Sequence, residues 1–248
     1  MKNLIAGGAL ALALAQPLWA VEGEIEQVSP HVGEMMVRMG SVEVEDRLRF
    51  EPYQMLDDLF TRNDYVLLMR HGPTDWSKRD IDNVAPTDCE NQRVLSDEGH
   101  ERMFDLGVLL GANDLVPGKI VVSEWCRNQE TLTNLLRGLE QARPGTVTNL
   151  DVETDPGLNL LLSLQGAPNV EPIRGHIDSW TGEDSDGPLL IISHFTNIEE
   201  LTTFNIYEGE MLMIDPTRDD RVLGYLRLRS AAPDVGHFTP QQVAGERQ

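Results

Sequence analysis

The chain has 248 residues and carries 41 acidic side chains against 20 basic ones, a formal net charge of −21. Such an excess repels polyanions, which excludes nucleic acid and anionic membrane surfaces as general partners and makes any cluster of arginines informative, because an anion site then needs a local positive pocket inside an acidic shell. The length suits one α/β domain with a sizeable core, and no Gly/Ser-rich or low-complexity stretch divides it.

Residues 1–20 open with Met1-Lys2-Asn3, continue through the apolar run Leu4 to Ala15 and reach the small residue Ala20. This is the pattern of a secretory signal peptide, too short for a comfortable transmembrane helix. The expected product is periplasmic or secreted, with no integral membrane span once the signal is removed. Residues 21–50 read as an acidic N-terminal arm, 51–232 as the folded domain and 233–248 as a C-terminal tail. Cys89 and Cys126 are the two cysteines of the chain and lie in no metal-ligand spacing. Export permits a disulfide between them, with two free thiols as the alternative. A bridge would tie the loop after residue 72 to the segment holding Arg127.

Helical spacing over Pro52 to Phe60 leads into the apolar run Tyr65-Val66-Leu67-Leu68-Met69, which closes on Arg70-His71-Gly72. That run reads as a buried strand ending at its carboxyl edge, where open α/β sheets carry their ligand sites. A long polar loop, Pro73 to Val94, begins there, and loops of this length are commonly functional. Ser96 reads as an N-cap, followed by a helix through Met103, Leu106 and Leu110 that Gly111 ends. Lys119 to Ser123 is the next strand, and Leu132, Leu135, Leu136 and Leu139 mark the helix after it. A strand is expected near Val147 to Val152 and a turn of helix around Leu158 to Leu164. Pro188-Leu189-Leu190-Ile191-Ile192-Ser193-His194 repeats the opening design, a buried strand ending on histidine. Two strands close the domain, 210–214 and 224–229. The alternation of strands and helices predicts a layered α/β fold.

If the strands ending at His71, Ser123 and His194 are neighbours, then Arg70, His71, Arg127 and His194 converge on one crevice. Phosphoryl transfer asks mainly for positioning and for neutralising phosphoryl oxygens, which guanidinium forks do well. A neutral imidazole can attack phosphorus to give a phosphohistidine that water hydrolyses, and nearby arginines help to keep that ring neutral.

Leu68-Met69-Arg70-His71-Gly72, Leu95-Ser96-Asp97-Glu98-Gly99, Ser123-Glu124-Trp125-Cys126-Arg127 and Ile192-Ser193-His194, taken in order, resemble the histidine phosphatase superfamily, in particular exported bacterial members of its smaller branch 1. The resemblance covers roughly residues 65–214. It implies a three-layer α/β/α fold with a central, mostly parallel sheet, the phosphoglycerate mutase-like fold. It implies that His71 is the phospho-acceptor, that His194 supports the transition state, and that Arg70 and Arg127 bind phosphoryl oxygens. Asn197 and Arg93 are candidates for the substrate-binding wall, with helix capping as the alternative for Asn197. Members of that branch often carry a glutamate as general acid in a Leu-x-Glu segment, whereas here the matching residues are Leu158-Asn159-Leu160. Asp75 is the nearest replacement in sequence and Glu199 another. No metal and no cofactor is implied, and the expected partner is a small phosphorylated substrate. The expected activity is that of a metal-independent phosphomonoesterase; a catalytically weak or silent binder of phosphorylated ligands is the alternative from a different class.

Overall fold

A computed structural model describes residues 52–161, 163–218 and 220–226. The expected signal peptide, N-terminal arm and C-terminal tail lie outside the described residues, as do the last residues of the strand expected over 224–229.

Six strands form one sheet: β1 (Val66–Arg70), β2 (Lys119–Val122), β3 (Asp151–Thr154), β4 (Leu189–Ser193), β5 (Met211–Asp215) and β6 (Arg221–Leu226). Their spatial order is β3-β2-β4-β1-β5-β6. The first four run parallel, and β5 and β6 complete the sheet antiparallel on the far side of β1. The central strands β1 and β4 are buried at every position. This is why their sequences are continuous aliphatic runs and do not alternate, since both faces of a parallel sheet are covered.

On one face Leu67, Met69, Ile120, Val122, Leu190 and Ile192 pack against helices α2 (Asp97–Ala112) and α3 (Cys126–Ala142), which contribute Met103, Leu106, Leu110, Leu132, Leu135 and Leu139. On the other face Val66, Leu68, Val121 and Ile191 meet Leu158, with Ile173 and Ile177 of α4 (Glu171–Asp178) and Ile198 of α5 (Phe195–Thr202). The three-layer α/β/α arrangement with a mostly parallel sheet is therefore observed. A short helix α1 (Pro52–Thr61) precedes β1; the labels α1 to α5 follow chain order.

Helices α2 and α3 cross with their backbones in contact. A Cβ on Gly107 would lie 2.1 Å from the Leu135 carbonyl oxygen, and one on Gly138 would lie 2.0 Å from that of Phe104. This close crossing fixes the height of α3, and with it Arg127 in its first turn.

The sequence expectation fails in three places. Residues 147–149 form a single 3-10 turn, and the strand begins later, at Asp151. β3 is an edge strand with no buried position, so burial imposed no readable pattern on it. The described residues among 158–164 are not helical beyond the 3-10 turn Pro156–Leu158. The chain folds back there so tightly that a Cβ on Gly166 would lie 1.7 Å from the Leu160 carbonyl oxygen. Helix α4 was not anticipated; it is eight residues long, with Pro at its start and a single Ile173/Ile177 pair to mark its buried side.

Candidate active site

β2, β4 and β1 are adjacent in the sheet, so their carboxyl ends open on the same crevice. His71 takes the last rung of the ladder: its N–H donates to the Ser193 carbonyl at 3.1 Å, and its own carbonyl accepts from Gly209 N–H at 2.9 Å. His194 is the N-cap residue of α5, in extended conformation. The two imidazoles therefore project from neighbouring strand ends, with ring centroids 5.7 Å apart and planes inclined at 65°. Arg70, His71, Arg127 and His194 are all buried. The structure brings together the four residues singled out from the sequence.

The tautomer of His71 is set by its neighbour. Nδ1 lies 2.9 Å from the Gly72 carbonyl oxygen, which can only accept, so Nδ1 carries the hydrogen and the Nε2 lone pair is left for attack. Gly72 is in turn fixed by donating its N–H to Thr131 Oγ1 at 2.8 Å, and Thr131 donates to the Arg127 carbonyl at 2.6 Å. A Cβ at residue 72 would lie 2.5 Å from the Met103 side chain, so glycine lets the chain pass close under α2.

Each arginine is held by a carboxylate that sequence reasoning did not find. Arg70 donates from Nη1 to the Ile206 carbonyl at 3.0 Å and from Nη2 to Glu208 Oε1 at 3.3 Å. Glu208 is itself buried and also accepts from Thr74 N–H at 3.0 Å, Thr74 Oγ1 at 2.7 Å and Trp76 Nε1 at 3.3 Å. Arg127 donates from Nη1 to both oxygens of Asp80, at 3.2 and 3.1 Å. The paired carboxylates fix the guanidinium planes, and removal of one partner from a buried pair leaves an uncompensated charge.

His194 joins a polar chain through its other nitrogen. Nε2 lies 3.0 Å from Ser123 Oγ, which lies 2.8 Å from Asn159 Oδ1; Asn159 Nδ2 donates to Glu124 Oε2 at 2.9 Å. Three buried polar atoms of these neighbouring residues have no hydrogen-bond partner among the described residues: His194 Nδ1, Arg127 Nε and Trp125 Nε1. The Trp125 ring packs edge-on against His194, with centroids 5.8 Å apart, and lies 4.6 Å from the Arg127 guanidinium carbon. The Arg127 and Trp125 atoms are N–H donors, whereas His194 Nδ1 is a bare acceptor in the neutral ring, because the Ser123 hydroxyl donates to Asn159 and so accepts from His194 Nε2; leaving such buried groups unpaired costs about 1–3 kcal/mol each. Among the described residues no group of three His, Cys, Asp or Glu side chains is placed to hold a metal ion.

Of the remaining candidates, Asn197, Asp75 and Glu199 lie elsewhere. Asn197 does not line the crevice: fully buried, it donates to the carbonyls of Asn159 at 2.8 Å and Leu158 at 3.4 Å and accepts from Leu161 N–H at 3.3 Å, so it fastens α5 to the 158–161 segment. The substrate-binding expectation for Asn197 is corrected on that ground, since its amide is committed to backbone. Asp75 is turned outward, where its carboxylate accepts from Ser77 N–H at 3.0 Å and Ser77 Oγ at 2.6 Å. These bonds from Ser77, helped by Lys78, hold it below the usual carboxylate range, the opposite of what a proton donor at neutral pH requires. Glu199 is exposed on α5. Arg93 does border the crevice: its guanidinium stacks 3.9 Å above the Trp76 ring centroid, and its charge acts on Arg127.

Burial pushes both imidazoles well below the usual histidine value of 6.5, and Arg127 and Arg70 push them further. Above pH 6.5 the rings are neutral in folded and unfolded chains alike and contribute nothing to the pH dependence of stability. Below pH 6.5 the unfolded chain takes up protons that the folded one refuses, so stability falls as pH falls, approaching about 1.4 kcal/mol per pH unit for each ring. Urea midpoints measured without phosphate are expected to drop between pH 7 and pH 5, and less steeply in a His71→Asn/His194→Asn double variant. Equal slopes for the two proteins would contradict a neutral buried pair.

No family model matches the chain, and no curated protein matches it. Solved structures similar to it include several phosphatases, each less than 20% identical to this chain. A structure from Agrobacterium tumefaciens assigned as the phosphohistidine phosphatase SixA is 14% identical, with a TM-score of 0.45, over 67% of this chain and 99% of that one. The protein histidine phosphatase SixA complexed with tungstate is 18% identical, with a TM-score of 0.44, over 66% of this chain and 94% of the other. Mycobacterial glucosyl-3-phosphoglycerate phosphatase is 15% identical, with a TM-score of 0.42, over 62% and 90% respectively.

Proposed function

We propose that this chain is a histidine phosphatase with the phosphoglycerate mutase-like fold, a metal-independent phosphomonoesterase acting on a small phosphoester outside the cytoplasm. The observation that carries the reading is the pair of buried, neutral imidazoles 5.7 Å apart, beside two buried arginines whose charges act on both rings. In the first step His71 Nε2 attacks phosphorus, the P–N bond forms and the ester P–O bond breaks. The positive charge that develops on the ring is supported by the Gly72 carbonyl at Nδ1. In the second step water attacks the phosphohistidine, the P–N bond breaks, and phosphate leaves while His71 returns to its neutral form. Arg70 and Arg127 neutralise the phosphoryl oxygens in both steps.

The leaving oxygen receives little help, because Leu160 stands where a glutamate would serve, the Asp75 carboxylate is taken up by Ser77, and Glu199 is exposed on α5. Esters with leaving groups of low pKa fit this arrangement. The signal-like first 20 residues and the Cys89–Cys126 disulfide support a site of action in an oxidising compartment. The missing acid also favours a second reading, a silent binder of a phosphorylated ligand. One experiment separates the two: incubation with an aryl phosphate in the presence of a chelator. A phosphatase releases phosphate and, on quenching, yields an acid-labile, alkali-stable phosphoprotein. A silent binder is protected against heat by inorganic phosphate yet gives neither product.

A further inference from the structure

The charged groups around the two imidazoles can be named element by element. The end of β1 carries Arg70 beside His71, the start of α3 carries Arg127, and the loop between β1 and α2 carries Asp80 and Arg93. Asp75 of the same loop is paired with Lys78 near the surface, 3.5 Å apart. The turn before β5 carries Glu208 and Glu210, both buried, and Glu124, ahead of α3, is bonded to Asn159. Neither phosphate-binding arginine is a free cation: Arg70 Nη2 lies 3.3 Å from Glu208 Oε1, and Arg127 Nη1 lies 3.1 Å from Asp80 Oδ2. Both oxygens of Glu208 are taken as acceptors, by Arg70, by Thr74 N–H and Oγ1, and by Trp76 Nε1, so Glu208 holds no proton for a leaving group. Burial lowers the Arg127 pKa; Asp80 and Glu208 counter that and Arg93 adds to it, so all three charges act on the same guanidinium. With the imidazoles neutral, the three guanidiniums of Arg70, Arg93 and Arg127 stand against the two carboxylates of Asp80 and Glu208, which leaves one positive charge in excess. Glu210 can only reduce that excess.

We propose that the crevice takes its phosphomonoester as the singly charged monoanion, and that the proton this substrate brings replaces the missing general acid. The inference rests on the phosphohistidine reading of the site. A monoanion matches a single positive charge in excess, whereas a dianion leaves a buried region with net negative charge, which desolvation penalises. Asp80 and Glu208 are thus positioning residues that also set the charge state of the ligand. In the step itself His71 Nε2 forms the P–N bond as the ester P–O bond breaks, and the proton on the phosphoryl oxygen passes to the departing oxygen. A neutral alcohol leaves, and the phosphohistidine keeps the one negative charge. This widens the range of esters beyond those with leaving groups of low pKa. The second pKa of a phosphomonoester is about 6, so the monoanion is abundant only in mild acid. The imidazoles, held well below 6.5 by burial and then by the arginines, are still unprotonated there, and a neutral nucleophile meets a protonated substrate.

Non-hydrolysable ligands separate charge state from turnover. Methylphosphonate and difluoromethylphosphonate, whose fluorines lower its second pKa, are titrated calorimetrically into the full oxidised protein between about pH 5 and pH 8. The dissociation constant for total ligand is expected to rise about tenfold per pH unit above each ligand's own second pKa, so the break comes at lower pH for the fluorinated ligand. Glu208→Gln and Asp80→Asn, each with one carboxylate fewer, are expected to bind the dianion as well and to lessen that rise to about threefold per unit or less. Circular dichroism shows which variant folds; if neither does, the two wild-type breaks decide alone. A wild-type affinity that does not change across the ligand's second pKa, or a break at the same pH for both ligands, overturns the monoanion while leaving the phosphatase reading intact. A wild-type slope in the folded variants overturns the part given to Asp80 and Glu208. The proton step is read from kcat/KM for a series of aryl phosphates at about pH 5.5, expected to vary little with leaving-group pKa. A steep fall as that pKa rises overturns the step. Failure of both phosphonates to bind in mild acid overturns the phosphate site itself.

Discussion

His71→Ala is expected to abolish turnover, with kcat falling by on the order of 10⁴-fold or more, and to remove the phosphoprotein trapped on quenching. The expectation rests on role and geometry together. Nδ1 is committed to the Gly72 carbonyl, so that Nε2 is the attacking atom, and burial beside two arginines keeps the ring unprotonated. Loss of a covalent nucleophile costs far more than loss of a positioning group, since what remains is only the electrostatic part of the site. The fold is expected to survive, because the backbone of residue 71 keeps its bonds to Ser193 and Gly209 whatever the side chain. Circular dichroism and the thermal midpoint check this, and heat protection by inorganic phosphate is expected to remain through Arg70 and Arg127. Activity equal to wild type in a folded His71→Ala protein would remove His71 as the nucleophile.

The second large effect is expected at Arg127. Its Nη1 is held by Asp80, and its charge acts directly on both buried imidazoles, which places it beside the phosphoryl group that His71 would attack. Arg127→Ala is expected to lower kcat/KM by about 10²–10³-fold, the scale seen when one preorganised donor is lost. Arg127→Lys is expected to recover little, because a point charge cannot satisfy Asp80 and the phosphoryl oxygens in the same planar fork. A second readout distinguishes this role from a structural one. Arg127 is a principal charge holding the His71 and His194 pKa values down, second only to burial. Removing it raises both, so the acid limb of kcat/KM is expected to move to higher pH in Arg127→Ala, after allowance for ionisation of the substrate. An unchanged limb would mean that Arg127 lies too far from the imidazoles to act on them.

What could be read from the chain was what hydrophobic burial writes into local sequence. β1 and β4 are continuous aliphatic runs because both faces of the sheet are covered, and each run ends abruptly on the polar residues that face the crevice. Ser96 was legible as a cap because its Oγ accepts from Gly99 N–H within one turn of helix. The interactions that hold the site together leave no such local trace. Glu208 is 134 residues from Thr74 and 138 from Arg70, and its own neighbours Tyr207 and Gly209 belong to a turn. Asn159 reaches Ser123 across 36 residues from a segment that reads as a helical turn and is not one. Asp80 lies in a loop with no periodicity, so nothing in its surroundings marks it off from the other acidic residues of an acidic chain. The same argument explains Asn197: a polar residue at the start of a helix can bond inward or outward, and only the position of the 158–161 segment decides it.

The disulfide between Cys89 and Cys126 joins the loop that carries Trp76, Asp80 and Arg93 to the residue immediately before Arg127. Its two cysteines are the only ones in the chain, so within one molecule a single pairing exists. Oxidation therefore has one intramolecular product, and there is no scrambled isomer to correct. The 37-residue separation corresponds to roughly 3–4 kcal/mol of restriction on the unfolded chain by the loop-entropy estimate. Assembly of the crevice is in this sense a two-valued property, open or stapled, and a preparation can be sorted for it by free-thiol content before any enzyme assay is run.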